Sequence, residues 1–148
     1  MSSKRQGAPF MPPPEFGKSL SGLMINLLVR DLERAVEFHR EVLQVEFVYA
    51  DPDLAIVRGY GSLWMIHADH TYDKHPYGKE TEPVQVRGRG MEIRLHGLDP
   101  DSAEATARRL NFTILDPTRD QPDHGLRECF IRDADGYVWV PDVPLANG

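Results

Sequence analysis

Two stretches of this chain, 68 residues apart, carry the same alternation of strand residues followed by an Asp at a helix start. Shifting by that interval lays Met24 on Glu92, Ile25 on Ile93, Asn26 on Arg94, Leu27 on Leu95 and Asp31 on Asp99. A period this long exceeds that of solenoid units, which run to roughly 50 residues. It suits two supersecondary modules, each of which leaves one sheet face in need of cover. The 148-residue length holds one such pair around one core and is too short for two ordinary domains.

The local patterns agree with a duplicated module. Ile25, Leu27 and Val29 alternate with Met24, Asn26 and Leu28, which predicts a strand with one apolar and one mixed face. Asp31 then offers a helix cap, and apolar residues at helical spacing predict a helix over 32–43. Strands follow at 45–49, 54–58 and 63–67, separated by Asp51-Pro52-Asp53 and Gly59-Tyr60-Gly61. Residues 68–90 are polar and rich in Pro, Gly and charge, and read as a linker. The order then repeats. Ile93 and Leu95 oppose Glu92, Arg94 and His96 on a strand, and Asp99-Pro100 opens a helix carrying Ala103, Ala107 and Leu110. Strands at 112–115, 126–132 and 137–140 complete it, with Pro141 as the stop. The expected fold is α+β, with two βαβββ modules at about 23–67 and 91–143 in one domain over 21–148.

Residues 1–20 form an N-terminal arm. Pro12, Pro13 and Pro14 predict extended backbone there. The arm is either a loose tail or a strap across a partner subunit, anchored by Phe10, Met11 and Phe16. It lacks an apolar stretch able to serve as a signal-peptide core, and no apolar run reaches the roughly 20 residues of a membrane span.

The net charge of −6 argues against a nucleic-acid partner, whose phosphates need a basic surface. The single cysteine, Cys129, forbids an intrachain disulfide and reads as a buried small hydrophobe rather than a nucleophile. A chain without disulfides fits a cytoplasmic location. No Gly-rich phosphate loop, Gly-x-Ser-x-Gly elbow or Cys-x-x-Cys pair is present. His39, Arg40, Arg108 and Arg109 read as solvated or partly buried helix positions, and His70 and His75 as surface residues.

Two stretches carry a family resemblance. INLLVRDLERAVEFHREVLQVEF, residues 25–47, resembles the first-module signature of the vicinal oxygen chelate superfamily, the glyoxalase / bleomycin resistance protein / dioxygenase proteins. Gln44 stands where that signature usually has Gly. HGLRECFIRDADGYVWV, residues 124–140, resembles the end of the second module. The resemblance spans about residues 23–143. It implies curled mixed sheets around a cavity between the modules, a small-molecule ligand and a homodimer, with no nucleic-acid or membrane partner.

Metal-using members of that superfamily carry ligands on the first and fourth strands of each module. Carried over, those positions are Met24, His67, Glu92 and Val140. Val140 has no donor atom, and the Met24 thioether is a poor match for a hard or borderline ion. His67 and Glu92 alone leave a weak metal site, unless a slip brings in Asp69, His70 or His75. The implied function is binding of an apolar or aromatic ligand in the inter-module cavity, lined by Met24, Asn26, Met65, Arg94 and Val140, with a degenerate metal site. The alternative is a metal-dependent lyase, isomerase or dioxygenase in which His67 and Glu92 hold a divalent ion. Without metal, His67 and Glu92 read either as a catalytic base and its orienter or as a polar pair lining the pocket. Arg94 reads either as a salt-bridge partner of Glu92 or as a clamp for an anionic group. Arg127 and Glu128 point to opposite strand faces, and register decides which of them reaches the cavity. Trp139 is assigned to packing against the helix.

Overall fold

The computed structural model describes residues 4–6 and 11–146, so Phe10 lies outside the described residues. Two four-stranded sheets are formed. Module one supplies β1 (Asn26–Val29), β2 (Glu46–Ala50), β3 (Leu54–Gly59) and β4 (Ser62–Ala68), in the order β1-β4-β3-β2. Module two supplies β5 (Glu92–His96), β6 (Thr113–Gln121), β7 (Leu126–Arg132) and β8 (Val138–Pro144), in the order β5-β8-β7-β6. In each sheet the first strand runs parallel to the fourth and the other neighbours are antiparallel. The architecture is the α+β pair of modules that the repeat predicts.

The helices are α1 (Pro13–Ser19), α2 (Leu32–Glu37), α3 (Pro76–Thr81) and α4 (Pro100–Arg109). The Asp31 carboxylate caps α2 by accepting the Arg34 N–H, and Asp99 caps α4 by accepting from Asp101 and Ser102. The helix expected over 32–43 changes winding partway. Phe38–Val42 is a π-helical turn, closed by the Leu43 N–H donating to Phe38 O at 3.2 Å. Gln44 follows at φ 55, in the left-handed region that Gly adopts most easily.

Strand alternation sends Leu27, Val29, Trp64, Ile66, Cys129, Ile131 and Trp139 to one side of their sheets. They meet Phe38, Val42, Leu43, Ala103 and Ala107 in one core shared by both modules. The Phe38 and Phe112 rings lie 4.7 Å apart, and Trp64 and Trp139 lie 5.9 Å apart. Because the helices fill the space between the sheets, the opposite sheet faces look outward. Each of these large side chains contributes about 2 kcal/mol of burial, so the shared core fastens the modules together.

His39 belongs to this core, against the expectation of a solvated or partly buried position. It is 1% exposed, its Nδ1 bonds Ala35 O, and its Nε2 accepts the Trp64 indole N–H at 3.0 Å. Burial lowers its pKa to about 4, so the ring is neutral.

Three expectations are corrected. Residues 13–19 of the arm are helical, because prolines at the first turn lack only N–H groups that would be unpaired there anyway. Strand β8 runs through Pro141 to Pro144, since pairs on both sides of the proline hold it: Glu128 with Asp142 and Ile131 with Trp139. The segment 68–90 is built rather than loose. It contains a 3-10 turn at Asp69–Tyr72, helix α3 and the buried Arg87. The Arg87 guanidinium clasps Asp69 through two bonds of 2.7 and 2.8 Å and donates to Leu28 O. Gly136 lets this segment close in, because a Cβ there would meet Arg87 N at 2.7 Å.

Candidate functional site

The outward face of the module-one sheet forms a groove of about 470 Å³. Alternation on β3 and β4 sends Leu54, Ile56, Met65 and His67 to this face, opposite the core residues. Phe16 and Leu20, from helix α1 and the residue after it, form the facing wall. Met11 also lines the groove, so Met11 and Phe16 contact their own chain. Arg5 fastens the start of the arm: its N–H donates to Asp53 at 2.5 Å and its guanidinium lies 3.4 Å from Asp51.

One end of the groove is polar. The parallel β1–β4 ladder pairs Asn26 with Met65 and Leu28 with His67, which puts Asn26 and His67 on the same face. His67 Nδ1 lies 2.5 Å from Asn26 Oδ1, and Asn26 Nδ2 donates to the Tyr72 hydroxyl at 3.0 Å. The His67 and Tyr72 rings meet edge to face at 5.8 Å. Burial lowers the His67 pKa, partly offset by the Asp51 and Asp53 charges, so the imidazole is neutral near pH 7.

The other candidate residues lie elsewhere. Glu92, Arg94 and Val140 occupy the outward face of module two and do not line the groove. Met24 precedes β1 and does not line it either. Among the described residues the groove therefore draws no lining from module two, because the shared core points the two opposite sheet faces apart. His67 and Glu92 are not brought together: His67 is paired with Asn26, and Glu92 with Arg94 at 2.7 Å.

Arg94 resolves into an ion-pair centre. Its guanidinium bonds Glu92, Glu128 and Asp142. Burial works against its charge, but the bonds to Glu92 and Glu128 outweigh it and raise its pKa. With three carboxylates around it, Arg94 has no charge to spare for an anionic ligand. Glu128 is the member of its pair that faces this cluster. Arg127 turns to the other side and bonds Asp101 at 2.8 Å. His96 completes the cluster through Asp142 at 2.6 Å.

The register also corrects one equivalence. Arg94 pairs with Val140 and His96 with Asp142. By the 68-residue offset these are the counterparts of Asn26 and Leu28. The module-two equivalent of His67 is thus Asp142, and that of Val140 is Met65.

The four carried-over positions do not converge on one another within one chain. Val140 offers no donor, Met24 offers a thioether outside the groove, and Glu92 is committed to Arg94. Among the described residues no three His, Cys, Asp or Glu side chains converge as a metal site. Asp69 is held by Arg87, His70 by Asp53 at 2.9 Å, and His75 caps α3 by accepting the Tyr77 N–H. Cys129 is fully buried, and burial pushes its thiol up to about 11, where it stays protonated. Among the described residues no helix is long and apolar enough to cross a membrane.

Tyr72, which in the sequence counts only as aromatic area that is core or cavity lining, reaches the groove from a segment that composition marks as linker. Arg87 gives no sign of burial until its partners Asp69 and Asp135 are placed beside it.

No family model matches the sequence, and the curated proteins contain no match. Solved structures do match. A glyoxalase-related enzyme from Fulvimarina pelagi is 17% identical, with a TM-score of 0.66, covering 86% of this chain and 93% of that one. A glyoxalase/bleomycin resistance protein/dioxygenase from Nocardioides is 20% identical, with a TM-score of 0.61, covering 91% and 93%. The fosfomycin resistance protein FosX from Listeria monocytogenes is 18% identical, with a TM-score of 0.62, covering 85% and 95%. The chain has the glyoxalase/bleomycin resistance/dioxygenase fold.

Proposed function

We propose that this chain is a small-molecule-binding protein that holds an apolar or aromatic ligand against the module-one sheet. One observation carries the reading: an open apolar groove ends in a neutral, hydrogen-bonded His67–Asn26–Tyr72 group. A mainly apolar pocket with few convergent polar groups is the usual make-up of a ligand site. Met65 joins Asn26 and His67 in the binding set, while Arg94 and Val140 belong to the other face. Within one chain the donor set supports binding rather than metal-assisted catalysis, because among the described residues no second and third ligand converge with His67.

The same reading includes a homodimer. A cavity lined from both modules would arise by setting the module-one face of one copy against the module-two face of a second. Light scattering at micromolar concentration is expected to give twice the chain mass, and a monomer mass overturns this part.

Metal analysis and a thermal-shift titration test the function together. Protein purified without chelator is expected to carry well under one equivalent of Fe, Mn, Ni or Zn, and to gain thermal stability with naphthalene. A stoichiometric metal, or no response to naphthalene, overturns the proposal.

A further inference from the structure

The polar end of the groove has a hydrogen-bonding pattern that specifies more than apolar character. Asn26 sits between His67 and Tyr72 and satisfies one side of each. A carboxamide oxygen only accepts and its nitrogen only donates. With Oδ1 facing His67, the ring must donate from Nδ1, and in a neutral imidazole the lone pair then lies on Nε2. With Nδ2 donating to the Tyr72 oxygen, the Tyr72 proton is left to donate elsewhere. Among the described residues neither His67 Nε2 nor the Tyr72 O–H has a protein partner. The site therefore offers one acceptor and one donor.

This balance does not depend on how the carboxamide is turned. Rotating it by half a turn makes His67 Nε2 the donor and the Tyr72 oxygen the acceptor, and the site still offers one of each. The surrounding charge selects further. Asp53 lines this end of the groove and is already paired with Arg5 and His70. An anion would meet Asp51 and Asp53. A cation would have to desolvate against Ile56 and Met65 with both nearby carboxylates already engaged.

We infer that the groove takes a neutral, planar ligand presenting a hydrogen-bond donor and an acceptor side by side on an apolar ring system, as a fused-ring lactam does. The inference rests on the ligand-binding reading above and names its ligand class. The apolar rings lie against Ile56, Met65 and Phe16, and the paired polar atoms meet His67 and Tyr72. A ligand lacking either polar atom leaves one of these groups desolvated without a partner, which penalises it.

Three probes separate the terms when titrated calorimetrically into the full chain. 2-Quinolone carries both groups, N-methyl-2-quinolone lacks the donor, and naphthalene lacks both. 2-Quinolone is expected to bind roughly tenfold tighter than either of the others. In His67→Phe and Tyr72→Phe, shown to be folded by circular dichroism, the advantage of 2-quinolone over naphthalene is expected to shrink to about threefold or less. Equal wild-type affinity for 2-quinolone and naphthalene overturns the inference and leaves the apolar-ligand reading standing, as does an N-methyl analogue that binds equally well. An advantage that survives in both variants overturns it as well. If none of the three binds, both readings fall. The wild-type series decides the matter even where a variant fails to fold.

Discussion

His67 and Asp142 occupy the same register position in the two modules, one facing Leu28 and the other His96 across a parallel ladder. The duplication has given them different work. His67 borders the groove, while Asp142 is 1% exposed and holds both Arg94 and His96. Asp142→Asn is therefore expected to cost about 2 kcal/mol of stability, since it removes a buried charge from beside the Arg94 guanidinium and weakens the hydrogen bond to His96. His67→Phe should change stability by less than about 1 kcal/mol, because it loses one half-buried bond and keeps the ring contact. Urea unfolding of both variants checks the contrast, and equal losses would show that the two positions still share one role.

Arg87 ties the segment between the modules to both of them. It is 2% exposed, clasps Asp69, donates to Leu28 O and lies 3.8 Å from Asp135. Arg87→Ala leaves Asp69 and the Leu28 carbonyl without their donor, while Asp135 keeps Arg30, and is expected to cost about 3 kcal/mol. Arg87→Lys keeps the charge but loses the two-pronged geometry, and should recover about half of that. Urea midpoints with unchanged slopes would confirm the order.

The fold was readable because strand alternation and the 68-residue offset act at short range, where side chain and backbone determine each other. His39 lies four residues after Ala35 and seven after Leu32, on the buried stripe of a regular helix. Its polar ring hides this in the sequence, because the Ala35 carbonyl and the Trp64 N–H that satisfy it become visible only in the fold. Pro141 was misread because a missing N–H is visible in the sequence while the pairs flanking it are not. The candidate site was half legible. Asn26, Met65 and His67 follow from alternation and parallel pairing. The separation of Glu92 and Arg94 from them follows from how the helices fill one core, which no strand pattern reports.

The arm makes the groove without making the fold. Helix α1 has no buried residue, yet Phe16 and Leu20 form one groove wall. Removing residues 1–20 should therefore lower stability by less than about 1 kcal/mol while weakening naphthalene binding roughly fivefold, the worth of a half-buried aromatic contact. Phe16→Ala should reproduce most of the loss. Calorimetric titration of the truncated chain gives the answer, and unchanged affinity would assign the arm no part in the site.

His39 makes the fold sensitive to acid. Its folded-state pKa of about 4 lies below the ordinary 6.5, because burial between Trp64 and Trp139 opposes the charge. The unfolded chain therefore takes up this proton first as pH falls. The contribution is full above about pH 6.5 and is lost progressively down to about pH 4, amounting to about 3 kcal/mol. Other groups also titrate in this window, so the difference between wild type and His39→Gln isolates the term. The Gln side chain retains an acceptor for the Trp64 N–H and has no proton to gain. Wild type should lose about 3 kcal/mol more than His39→Gln between pH 7 and pH 4, read from urea midpoints by tryptophan fluorescence. Parallel pH profiles for the two proteins would mean that the ring is protonated in the folded state and that Trp64 is not its hydrogen-bond donor.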